Sequence, residues 1–189
     1  MKTEEKILEA ALDVVQEKTI SGTRMHHIAE KADVVQSNVH YYYKTKRDLL
    51  KALQEKVLQH CLDIREKDRE IAGDNFADQM NVFIHQKKNF ITKEQKYDYA
   101  ELDFWLQGRI DEGIRTDFQR SFENWRREIR DVIHRFFPGL PKEKLNYFPY
   151  LIVSLLEGAS IQYLIDPNAF DIDKYFEYCK LTIDSMLRS

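Results

Sequence analysis

Three consecutive residues, Gln36-Ser37-Asn38, carry side chains suited to reading the edges of DNA bases. A Gln or Asn amide donates and accepts together and so pairs bidentately with adenine, while Ser exchanges hydrogen bonds with several bases. The charge around them is of the matching sign. Residues 20–47 hold Arg24, Lys31, Lys44, Lys46 and Arg47 against Glu30 and Asp33, a net +3 in a chain whose total is −3, which leaves −6 elsewhere. A basic patch on an acidic body suits a protein that meets a phosphate backbone with one end. Catalytic patterns are missing: there is no nucleophile elbow, phosphate loop, Cys/His constellation or pair of metal ligands at helical spacing. His26-His27 and His60-Cys61 are adjacent pairs, so neither pair shares a helical face. The reading is therefore a binding protein without enzymatic activity, metal or cofactor.

The elements that must position these residues are helices. Apolar residues recur at helical spacing almost throughout, strand alternation is absent, and the six Gly and four Pro fall at boundaries. Thr3 is expected to cap a first helix with Glu4 and Glu5 in its positive first turn, ending at Thr19-Ile20-Ser21-Gly22. Thr23 is expected to cap a second, short helix. Further helices are expected from Thr45, over Phe76–Phe90 and over Glu94–Gln107. The next carries Ile114, Phe118, Phe122, Trp125, Ile129 and Val132 and stops at Phe137-Pro138-Gly139. The last two are expected over Phe148–Ile165 and Phe170–Leu187. No apolar run looks long enough to span a membrane, and the N-terminus lacks a signal-peptide stretch. Two cysteines far apart in sequence, Cys61 and Cys179, fit a reduced, cytoplasmic setting.

The stretch Ile28-Ala29-x-x-Ala32-x-Val34-x-x-x-x-Val39-x-x-Tyr42 describes two helices crossing steeply. Ala29 permits the approach, and Ala32, Val34 and Val39 fill the wedge. The turn between them needs a residue tolerant of the left-handed backbone, and Asp33 stands there. Together with Thr23, Tyr41-Tyr42-Tyr43-Lys44-Thr45-Lys46 and Leu49-Leu50, this stretch resembles the DNA-binding domain of the TetR family of transcriptional regulators. Two departures stand out: Asp33 replaces the usual Gly, and His40 replaces a phosphate-contacting Tyr. The resemblance implies an all-α fold, with a three-helix helix-turn-helix domain over residues 1–46 and a larger helical bundle for ligand binding and dimerisation over 47–189. By position, the recognition helix runs from about Val35 to Tyr41 and presents Gln36, Ser37 and Asn38 to the major groove. Thr23, Arg24, His40, Tyr41, Tyr42, Lys44 and Lys46 are the expected phosphate-backbone contacts, and Tyr43 takes the family's buried aromatic position.

In the C-terminal part, Tyr97–Gly108 is apolar on every side, so Glu101 or Asp103 is expected inside the protein, facing either Arg109 or another basic partner, or a ligand. Aromatic walls with few polar groups are typical of small-molecule sites. The candidate ligand residues are Phe83, Glu101, Trp105, Phe118, Phe122 and Trp125. Leu155-Leu156-Glu157-Gly158-Ala159 resembles the family's dimerisation helix, which makes Leu151, Ser154, Leu155, Gly158 and Ile161 the expected homodimer contact. The partners implied are an operator in double-stranded DNA, a small-molecule effector and a second copy of the chain. The function implied is repression released by the effector. The alternative is a helical small-molecule-binding or interaction protein with no DNA role.

Overall fold

A computed structural model describes residues 2–188. Met1 and Ser189, the outer limits of the two expected domains, lie outside the described residues. Among those described there are nine helices and no strand. They are α1 (Thr3–Gly22), α2 (Met25–Lys31), α3 (Gln36–Tyr42), α4 (Lys46–Ile71), α5 (Phe76–Thr92), α6 (Gln95–Gln107), α7 (Glu112–Phe136), α8 (Lys142–Ile165) and α9 (Ile172–Arg188). They form two compact units that do not follow chain order. The first gathers residues 1–62 and 94–119, the second 63–93 and 120–189.

In the first unit, α1 buries Ile7, Ala11, Leu12, Val14 and Val15, and it packs against both α2 and α6. Two details differ from the sequence expectations. Thr3 is already helical; Lys2 takes the N-cap position and supplies no side-chain cap. The helix ends in the expected stretch: it kinks at Thr19, whose φ is 59° and ψ 168°, and stops at Gly22. Thr23 does not cap α2, where Arg24 takes the cap position. Instead the Thr23 hydroxyl donates back to the Thr19 carbonyl at 2.8 Å, joined by the Thr23 N–H at 3.1 Å. The Thr19 carbonyl thus accepts twice, from the backbone N–H four residues on and from the hydroxyl of the same residue.

The turn between α2 and α3 matches its sequence. Asp33 adopts φ 50°, the left-handed conformation that Asp tolerates better than bulkier residues. The Val34 N–H then returns to the Ala29 carbonyl at 3.0 Å. Ile28, Ala29, Ala32 and Val39 are buried in the wedge.

Glu9 anchors a charge cluster on this unit. Its carboxylate accepts from Lys96 at 2.6 Å and pairs with Lys56 at 2.9 Å. Burial alone would raise its pKa, but the hydrogen bonds from Lys96 and Lys56 together hold it below the ordinary carboxylate value. A depressed pKa contributes stability that is present above the unfolded value and lost as pH falls through the folded one. Glu9→Gln should therefore destabilise the protein at neutral pH, and the two proteins should converge in acid. Urea unfolding at pH 7 and near pH 3 checks this; an equal gap at both pH values would remove Glu9 from the acid response.

The second unit has its core between α5, α7, α8 and α9, where Phe83, Ile129, Ile133, Ile152, Leu156 and Ile183 are almost fully buried. The start of α8 lies six residues earlier than the sequence indicated, at Lys142, and Pro149 sits inside the helix. Pro is normally confined to the first turn of a helix, and here almost two turns precede it. The expectation about membrane-length runs is corrected too. An 18-residue window of α8 has mean hydropathy 1.4, and the helix is long and apolar enough to cross a membrane by those measures. The physical reason is that α8 is apolar on two faces. Ile152, Val153, Leu156 and Ala159 point into the core, while Leu151, Ile161, Leu164 and Ile165 are exposed. Within the buried side, Glu157 pairs with the fully buried Lys87 at 2.5 Å.

Candidate nucleic-acid interface

Helix α3 is seated by Val39, which is completely buried, and by Tyr43 just beyond its end. The Tyr43 hydroxyl donates to Glu4 at 3.4 Å, and burial pushes its pKa up to about 12. This anchoring leaves the opposite side of the helix outward. Gln36, Ser37 and Asn38 are all exposed in its first turn. Val35 precedes them as N-cap without a side-chain cap, so the unpaired N–H groups of the helix start are directed the same way. Tyr41, 74% exposed, and Tyr42, 39% exposed, stand edge to face with ring centroids 5.2 Å apart. His40 is half-buried, with Nε2 3.4 Å from the Gln36 amide nitrogen and Nδ1 3.4 Å from the Lys44 carbonyl oxygen. Lys44 is exposed.

Three expected backbone contacts have internal work. Thr23 is fully buried, so its hydroxyl is not at the surface. Arg24 is exposed but donates to the carbonyls of Ser21 at 2.7 Å and Thr23 at 2.9 Å. Lys46 donates to the Ile20 carbonyl at 2.6 Å, and burial, with Arg24 nearby, holds its pKa below the ordinary lysine value. The signal that could have found these roles is the kink, and no residue type in α1 announces it.

The expected ligand residues divide between the units. In the first, Glu101 is buried at 6% exposure, Phe118 is buried, and Trp105 packs edge to face on Phe118 at 6.5 Å. Arg109 is exposed. Asp103 meets a backbone group: its Oδ2 accepts the Ile20 N–H at 2.8 Å. Burial raises the Asp103 pKa, and that hydrogen bond opposes the shift. Asp98 is also buried, a carboxylate that the sequence reading did not single out. In the second unit, Phe83 and Trp125 belong to the core, with Phe122 packed against it. Arg65 lies over the Trp125 ring at 5.8 Å. The Trp125 indole nitrogen is buried and has no hydrogen-bond partner among the described residues. Of the expected dimer contacts, Leu151, Ser154 and Ile161 are exposed, while Leu155 and Gly158 are half-buried. The Tyr175 hydroxyl donates to the Leu155 carbonyl at 2.7 Å.

Residues 7–53, which contain this interface, match the family model described as bacterial regulatory proteins, tetR family. This segment is similar to the TetR-family DNA-binding domain. Its helix-turn-helix is thus a DNA-binding domain of the kind that transcriptional regulators carry. That similarity agrees with a relative in Bacillus subtilis, the HTH-type transcriptional regulator YvdT. That protein is 29% identical over 121 residues, 64% of this chain and 56% of its own length, so the match spans little more than half of it. Two solved structures share the TetR-like fold. A transcriptional regulator from Saccharomonospora viridis in complex with choline superposes with a TM-score of 0.85 at 16% identity, covering 96% of this chain and 95% of that one. A TetR transcription regulator from Haloarcula marismortui gives 0.79 at 18% identity, covering 98% and 96%.

Proposed function

We propose that this chain is a cytoplasmic TetR-family repressor that binds its operator as a homodimer and leaves it when a small molecule occupies the helical bundle. Residues 1–46 supply the DNA-binding part and residues 47–189 the sensing and dimerising part. The observation that carries the DNA reading is the row Gln36, Ser37, Asn38, exposed on the first turn of a helix whose other side is locked by Val39. Lys44, Tyr41, Tyr42, His40 and Arg24 flank that row and fix its register on phosphate. His40 gains charge only in mild acid. The buried thiols of Cys61 and Cys179 suit a reducing compartment. Selection of duplexes from a randomised pool, followed by anisotropy at several salt concentrations, tests the reading. A sequence-specific site with a steep salt dependence is expected; equal affinity for every duplex would leave the chain without an operator.

Dimerisation draws support from the outer face of α8. Tyr147, Leu151, Ser154, Gly158, Ile161 and Ile165 follow one another at intervals of four, three, four, three and four, a continuous stripe. Tyr178 and Leu181 on α9 are likewise exposed, at 60% and 65%. A two-fold pairing of such stripes covers them and sets two recognition helices about 34–36 Å apart or more. A Cβ built at Gly158 meets only the Tyr175 hydroxyl, at 3.9 Å, so the folded chain itself tolerates a side chain there. Gly158→Trp should accordingly keep its fold and lose its partner. Sedimentation at micromolar concentration is expected to show a dimer for the wild type and a monomer for the variant, and a wild-type monomer would end the idea.

The effector reading rests on the aromatic residues of the bundle and on the Trp125 N–H, a buried donor suited to a ligand acceptor. Because the structural neighbour holds choline, and aromatic rings attract quaternary ammonium groups, organic cations are the first class to titrate. Linkage requires that an effector and the operator weaken each other by the same factor.

A further inference from the structure

Thr19 is where the backbone of the first unit is worst placed. Its φ of 59° with ψ of 168° falls in a region that glycine enters freely and a β-branched residue hardly at all. Such a conformation persists only where the surroundings over-determine it. Here they do so through the next residue. The Ile20 N–H donates to Asp103 Oδ2 of α6 at 2.8 Å, and the Ile20 carbonyl accepts from Lys46 Nζ, the first residue of α4, at 2.6 Å. The Ile20 side chain is buried. Thr23 holds the Thr19 carbonyl, and the Gln107 amide of α6 reaches the Ser21 hydroxyl at 3.3 Å. Both polar groups of one residue are thus gripped by charged side chains from two helices outside the helix-turn-helix. Helix α2 begins at Met25, five residues beyond, so the kink sets the direction in which α2 and then α3 leave α1.

We propose that Asp103 and Lys46 are positioning residues for operator binding: they clamp Ile20, hold Thr19 in its left-handed conformation and so aim the recognition helix. The inference rests on the DNA-binding reading above and adds to it a carboxylate that lies outside the DNA-binding segment. It also gives Lys46 a role distinct from phosphate contact. Asp103→Ala removes the acceptor and lets Thr19 relax, so the recognition helix loses its aim without losing any group that touches DNA. Asp103→Asn keeps an acceptor oxygen. Thr19→Gly removes the steric reason for the clamp.

The test measures affinity for the duplex that the wild type selects from a randomised pool, beside a random duplex of the same length. Asp103→Ala should weaken the selected duplex about tenfold, the scale of losing one hydrogen bond to a charged group, and leave the random duplex unchanged. Asp103→Asn should stay near wild type, and Thr19→Gly added to Asp103→Ala should recover most of the loss. Wild-type affinity in Asp103→Ala, or a double variant as weak as the single one, overturns the proposal. Lys46→Met should weaken only the selected duplex; equal weakening of both duplexes with a shallower salt slope makes it a phosphate contact and removes it from the clamp. Amide hydrogen exchange at Ile20 in the DNA-free protein separates this idea from the operator reading. If the wild type selects no duplex, faster Ile20 exchange in Asp103→Ala than in Asp103→Asn still upholds the clamp, and equal exchange in all three proteins refutes it.

Discussion

Lys87→Met alone is expected to lower stability by about 3–5 kcal/mol, the usual cost of breaking a buried ion pair by removing one partner. Lys87 on α5 has no exposed side-chain surface, and its partner Glu157 on α8 has 10%, with 2.5 Å between Nζ and Oε2. The core of the same unit is apolar, with Ile84, Ile91, Val153 and Leu156 among its buried residues. Taking two charges out of water is expensive, and their mutual attraction repays that only while both are present. Replacing both residues with apolar ones of similar volume, Lys87→Met with Glu157→Leu, should restore wild-type stability or exceed it. Urea unfolding at pH 7 of the wild type, both single variants and the double variant gives the coupling directly. Additive losses in the double variant would mean that each residue is held mainly by other groups.

Gln36→Ala and Asn38→Ala are expected to cost roughly 1–3 kcal/mol each on the specific operator and to relax the base preference at one position apiece. The size follows from the loss of a bidentate amide pair with nothing to replace it. Both side chains are exposed in the free protein, so truncation leaves no cavity and should leave thermal stability within about 0.5 kcal/mol. Lys44→Ala offers the contrast: a phosphate contact should weaken all duplexes alike and make the salt slope shallower by about one. The decisive comparison is specific against random DNA in parallel titrations. Equal losses on both for Gln36→Ala would take it out of the base-reading set and leave Ser37 and Asn38.

The helical class was legible from the apolar period alone, because side-chain spacing along a helix is a local property that no distant contact needs to supply. The helix-turn-helix was legible for a similar reason. Ala29, Ala32, Asp33, Val34 and Val39 meet one another across a single turn, so their spacing encodes the crossing. Asp33 even indicated its own left-handed backbone. Helix ends were less legible wherever a local signal conflicted with a tertiary one. Pro is favoured in the first turn of a helix, yet α8 begins at Lys142, seven residues before Pro149, and its buried face on the core of α5 and α9 outweighs the local preference.

Asp103 and Lys46 mark the limit. Asp103 was expected inside against a basic partner or a ligand and Lys46 outside on phosphate, and each meets a polar group of Ile20. The pair with Asp103 spans 83 residues and that with Lys46 spans 26. The sequence by itself determined the all-helical class, the TetR-family domain and the exposed row at residues 36–38, because each rests on residues within a turn or two of one another. Only the tertiary structure decided which charged groups turn inward, at Ile20 and at the Lys87–Glu157 pair. A buried charge takes whichever partner the fold brings within hydrogen-bond distance, and no local period records where that partner lies.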